Sequence, residues 1–124
     1  MSTQDELQAT IRDMVQRGKG ILAADESTPT ITKRFQAVGI ECNEETRRAY
    51  RQLLLSTPGI GDYIAGVILF EETLGQQADD GTPLVELARR AGIVPGIKVD
   101  KGTVALPGFP GEKVTQGLDG LAER

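Results

Sequence analysis

The sequence contains no histidine, no tryptophan and a single cysteine, and aromatic residues make up 4% of its 124 positions. Without histidine there is no Ser-His or Cys-His pair for nucleophilic catalysis. With Cys42 standing alone, neither an internal disulfide nor the usual nitrogen and sulfur ligand set of zinc can be assembled from this chain. The longest apolar run, "IAGVILF" at 64–70, falls far short of the roughly 20 residues that span a bilayer, so no membrane association is expected. The opening "MSTQDELQAT" has no apolar core of signal-peptide length, and the expected compartment is the cytoplasm. Fourteen Lys and Arg against eighteen Asp and Glu leave a net charge of −4 with no basic run, which argues against a nucleic-acid surface. "GKG" at 18–20 lacks the spacing of a phosphate loop, and no GxGxxG precedes a helix. Any chemistry here must run on carboxylates, hydroxyls and amines.

What the chain does contain is an alternation of helical and strand patterns at a length suited to one domain. Residues 4–17 space Leu7, Ile11, Met14 and Val15 for a helix that Gly18 ends, and 20–24, "GILAA", read as a short buried strand. Thr28-Pro29 supplies an N-cap and a first-turn proline for a helix running to Gly39. A further helix is expected from Asn43 toward Pro58, then a strand over "YIAGVILF", continuous rather than alternating as in sheets buried on both faces. A polar connection at 71–82, a proline-started helix over "PLVELARRAG" and a third strand over "IVPGIKVD" follow, with Pro95-Gly96 a weak point in that strand. Residues 102–117 suggest a loop or short hairpin, and "LDGLAER" at 118–124 the start of a helix. This order predicts an α/β fold with a parallel sheet covered on both faces. Three parallel strands would leave two open edges, so the chain is expected to be incomplete, to unfold with poor cooperativity and to aggregate.

In parallel βα proteins, functional side chains gather at the C-terminal ends of strands, where loops open and helix N-termini point inward. The three expected strands end in Asp25-Glu26-Ser27, in Glu71-Glu72-Thr73 and in Lys98-Val99-Asp100-Lys101. Each cluster also has a plain structural explanation: Asp25, Ser27 and Thr28 as helix caps, Lys98 with Asp100 as an ion pair, Glu71 and Glu72 as the start of a solvated loop. If the first and third clusters share a rim, a carboxylate beside lysine can exchange protons with a carbon acid. Hydroxyls and amides at the next helix start, with Lys98 or Arg34, would hold a phosphate. The expected ligand is a small phosphorylated metabolite.

The blocks "KGILAADESTPTITKRF", "RRAYRQLLL", "GVILFEETL", "ADDGTPL", "GIKVDKG" and "TQGLDGLAER" follow one another over residues 7–124 as in the amino-terminal third of the class I fructose-bisphosphate aldolases, which the chain strongly resembles. The resemblance implies a (β/α)8 TIM barrel of which residues 1–124 form about the first three βα units of one domain. It implies reversible cleavage of fructose 1,6-bisphosphate to dihydroxyacetone phosphate and glyceraldehyde 3-phosphate through a lysine Schiff base, with no metal or other cofactor, usually in a homotetramer. It assigns Asp25 to proton transfer beside the substrate hydroxyls and imine nitrogen, Ser27 to a phosphate, Lys98 to substrate and phosphate, and Arg34 and Arg47 to phosphate binding or its support. Thr30 stands where the family commonly has the last serine of S-T-G-S, and Pro29 replaces its glycine. The imine-forming lysine is implied to lie on strand six, outside these residues, so the 124-residue chain is expected to be inactive alone. Two alternatives are a non-catalytic truncated relative that binds sugar phosphate or aldolase subunits, and imine formation by Lys98 itself.

Overall fold

Ser2 and Asp5 exchange hydrogen bonds in a capping box, and this starts α1 (Thr3–Met14). The computed structural model describes all 124 residues and continues with β1 (Gly20–Ala24), α2 (Thr28–Ala37), α3 (Glu44–Leu55), β2 (Ile64–Leu69), α4 (Leu84–Arg90) and β3 (Val94–Ile97). Asn43 caps α3 by accepting from the Thr46 amide at 2.9 Å, and the Thr46 hydroxyl accepts in return from the Asn43 amide at 3.0 Å.

The three strands form one parallel sheet in the order β1-β2-β3. Parallel neighbours require crossovers; α2 with α3 makes the first and α4 the second. Ala24, Val67 and Leu69 on one face pack with Leu55 of α3, Leu84 and Ala88 of α4, and Ile93. Fifteen of the 124 residues are buried, so the core is one thin layer between the sheet and these helices. The other face departs from expectation. Ile21 is 52% exposed there, and Met14 of α1 shares a groove with Ile21, Ile68, Val94 and Gly96. Coverage of both faces was expected from the unbroken apolar run of β2; instead α3 and α4 gather on one side, as successive crossovers of one hand require.

Four further features bear on the site. β3 contains Pro95 and Gly96 and ends at Ile97, one residue short of Lys98. The polar connection after β2 holds a 3-10 turn at Glu71–Gly75. Residues 102–117 resolve into a hairpin, β4 (Thr103–Ala105) antiparallel to β5 (Lys113–Thr115). Finally, 118–124 forms turns rather than a helix. Gly117 and Gly120 both have positive φ, which interrupts a helical course. A Cβ on Gly117 would sit 2.6 Å from the Val99 carbonyl oxygen, so the returning chain packs directly on the segment after β3.

Candidate active-site rim

Strand alternation sends Asp25 to the same side of the sheet as Ala23, and Lys98 to the same side as Gly96. Both lie just past the C-terminal ends of their strands, and the Lys98 amide donates to the Leu69 carbonyl at 2.9 Å, which carries the sheet's registration up to it. Ala23, Asp25, Glu26, Ser27, Thr30, Arg34 and Lys98 line one open cleft of about 270 Å³. The clusters that end the first and third strands therefore do share a rim. Five of the six residues singled out from the sequence meet here.

The helix cap differs from the sequence expectation. Ser27, not Thr28, is the N-cap of α2, and its hydroxyl makes no cap bond to the first turn. It lies instead 3.1 Å from the Thr30 hydroxyl. The two hydroxyls and the free amides of the first turn thus remain on the cleft side of α2, where the helix dipole favours an anion. Pro29 contributes no N–H to this set. Arg34, one turn further on, is 61% exposed at its side chain and adds a cation.

Lys98 Nζ donates to the Asp100 carboxylate. That bond, helped by the Gly102 amide, holds the Asp100 carboxyl below the usual aspartate range. The ion pair foreseen as a structural explanation is thus present, and Lys98 lines the cleft as well.

Arg47 lies outside the cleft. Its Nε and Nη2 donate to Glu72 at 2.9 and 2.6 Å, a forked pair with both side chains mostly buried. The Arg47 hydrogen bond holds Glu72 below the usual glutamate range. Glu71, read as part of a solvated loop, is instead tied to Lys101 at 2.7 Å and Arg124 at 3.1 Å.

Three further residues support the rim: Glu26, placed in the first strand-end cluster from the sequence but given no role, and Tyr50 and Arg51, which were not singled out. Glu26 is buried and accepts from Arg34 Nη1 at 2.5 Å and from the Tyr50 hydroxyl at 3.1 Å. Arg51 is fully buried beside it. Burial first, and the Glu26 carboxylate next, push the Tyr50 phenol up. A signal for Arg51 did exist, because it stands four residues before Leu55 on the inward stripe of α3, and a charge on such a stripe needs partners.

Parallel strand–helix units with a polar cleft at the strand ends define an α/β protein. The family profile described as class-I fructose-bisphosphate aldolase matches residues 6–124, and the chain belongs to that family. It is 59% identical over 122 residues to the Drosophila melanogaster protein named fructose-bisphosphate aldolase, covering 98% of this chain and 34% of that one. It is 58% identical to the Arabidopsis thaliana protein named fructose-bisphosphate aldolase 6, cytosolic, over 97% of this chain and 34% of the relative. Its fold matches the Plasmodium falciparum aldolase solved in complex with TRAP and a small-molecule inhibitor, with a TM-score of 0.92 and 54% identity, over 99% of this chain and 36% of that one. The chain spans about a third of the length of the relatives it matches.

Proposed function

We propose that the chain is part of a class I fructose-bisphosphate aldolase that cleaves fructose 1,6-bisphosphate reversibly to dihydroxyacetone phosphate and glyceraldehyde 3-phosphate. Residues 1–124 would be the first three βα units of a single (β/α)8 barrel, a fold of roughly 250 residues. The observation that carries this reading is the convergence of Asp25, Ser27, Thr30, Arg34 and Lys98 on one cleft at the strand ends.

In this reading Ser27, Thr30, the first-turn amides of α2 and Arg34 receive a phosphate of the substrate. Lys98 contacts the substrate and its phosphate. Asp25 assists proton transfer at the hydroxyls and at the imine nitrogen, and the imine itself withdraws the electron pair released when the carbon–carbon bond breaks. Arg47 supports the phosphate side from outside the cleft through its pair with Glu72. The pairing of Lys98 with Asp100 favours a substrate-contacting lysine over an imine-forming one, because imine formation needs a free amine. The imine lysine is then assigned to strand six of the barrel. A homotetramer, a cytoplasmic location and a place in glycolysis and gluconeogenesis complete the proposal, and they rest on the family.

The test is a graft in which residues 1–124 replace the matching segment of the Drosophila protein. Cleavage of fructose 1,6-bisphosphate by the graft, lost on Asp25→Ala, is the expected result. A folded graft without cleavage contradicts the proposal. The 124-residue chain alone is expected to show no cleavage.

A further inference from the structure

Arg51 is the largest fully buried side chain of the protein, and the phosphate reading gives it no task. A buried cation is costly unless protein groups replace its lost water. Here the replacements are specific. Arg51 Nε donates to the Ala24 carbonyl at 3.3 Å, and Nη2 donates to the Glu26 carbonyl at 2.8 Å. These two carbonyls stand on either side of Asp25. Nη2 also reaches Glu26 Oε2 at 3.5 Å, while the other oxygen of that carboxylate takes the Arg34 hydrogen bond. The guanidinium carbon lies 5.7 Å from the Tyr50 ring centre and 6.0 Å from that of Phe70, so aromatic faces help to hold it.

β1 ends at Ala24 and α2 begins at Thr28, so the three residues between them carry the rim. Adjacent residues of an extended chain point to opposite sides. Asp25 therefore follows the open face while Glu26 turns toward α3, where Tyr50 and Arg51 receive it. A buried ion pair whose only task was neutralisation would need the Glu26 carboxylate alone. The contacts to both flanking carbonyls fix the backbone as well.

We propose that Arg51 is a positioning residue of the rim: it fixes Asp25 through the carbonyls that flank it and, through Glu26, presents Arg34 to the cleft. The second half of this inference rests on the phosphate reading. A lysine at this position would keep the charge but could not span two carbonyls and a carboxylate.

The test compares the wild-type chain with Arg51→Lys and Tyr50→Phe. Three quantities are measured: backbone order at residues 24–27 by nitrogen-15 relaxation, affinity for inorganic phosphate, and the urea midpoint. Arg51→Lys is expected to loosen 24–27 while β2 stays ordered, and to weaken phosphate binding about tenfold after correction for any unfolded fraction. Tyr50→Phe keeps the edge-to-face packing on Phe35 but removes one donor to Glu26, and is expected to weaken phosphate binding about threefold with rim order retained. A folded Arg51→Lys variant with wild-type rim order and phosphate affinity overturns the proposal. If that variant does not fold, wild-type affinity in Tyr50→Phe overturns it instead. A wild type that fails to bind phosphate sinks the phosphate reading alone, because rim order still decides whether Arg51 fixes the backbone.

Discussion

Arg34 Nη1 lies 2.5 Å from Glu26 Oε1, and the two side chains differ sharply in exposure, 61% against 6%. The carboxylate is the fixed end of this pair and the guanidinium the free one. Arg34 is thereby held at the cleft with its remaining donors turned to solvent, which is how a fork-shaped cation is kept ready for an anion.

Arg34→Ala should therefore weaken inorganic phosphate binding about tenfold, in line with the roughly 1.5–3 kcal/mol of a hydrogen bond to a charged group. Stability should change by less than about 1 kcal/mol, because Arg34 is largely exposed and the buried Glu26 carboxylate keeps its contacts from Tyr50 and Arg51. Isothermal titration with phosphate and a urea melt of the same preparation separate the two effects.

Lys98 is shared between the cleft and Asp100. Removing the competing carboxylate by Asp100→Asn should strengthen phosphate binding about two- to fivefold at neutral pH, since a phosphate then has the ammonium to itself. Lys98→Met should weaken it. Phosphate affinities of the two variants moving in the same direction would contradict this division of the lysine.

The Arg47–Glu72 pair carries a pH dependence. Glu72 is held below its usual range in the folded chain by the Arg47 hydrogen bond. Its contribution is fully present above the unfolded glutamate pKa of about 4.3 and is lost as pH falls through the lower folded value. Glu72→Gln should cost about 1–3 kcal/mol at pH 7 and much less near pH 3, where the wild type has lost the same interaction. Urea midpoints across pH 3–7, on a scale of roughly whole units, check the convergence of the two curves.

The thin core makes single truncations costly. Leu69 and Leu84 are fully buried in the one layer between the sheet and α3–α4. Leu69→Ala or Leu84→Ala should lose about 2–5 kcal/mol. Against the roughly 5–15 kcal/mol that holds small domains folded, either change should lower the thermal midpoint read by circular dichroism by about 5 °C or more.

Much of this architecture is legible in the sequence because local signals and tertiary packing agree. Residues 20–24 form a strand with the expected bounds, although Ala24 alone of these residues, all expected to be buried, is so, and the Asn43 cap and the first-turn acids of α3 mark its start as anticipated. The departures are places where other contacts compete with the local signal. Ser27 is the cap of α2 but its hydroxyl meets Thr30 instead of a first-turn amide, and 118–124 stays in turns while Arg124 bonds to Glu71 and to the Val99 and Gly117 carbonyls. Five of the site residues lie on strand ends or the following helix, where the βα pattern directs attention. The roles of Glu26, Tyr50 and Arg51 escaped because they arise from pairs 24 to 27 residues apart in the chain. Arg47 carries a family signal, yet its geometry is decided by Glu72 on a different loop.

The most direct test of the central claim is a titration of the nitrogen-15-labelled chain with dihydroxyacetone phosphate, followed by amide shifts. Saturable changes at Ser27, Thr30, Arg34 and Lys98, with the midpoint shifted about tenfold upward by Arg34→Ala, are the predicted result. Saturable changes confined to other residues, or none at the cleft while the sheet remains folded, would contradict the assignment of this rim to a phosphorylated substrate.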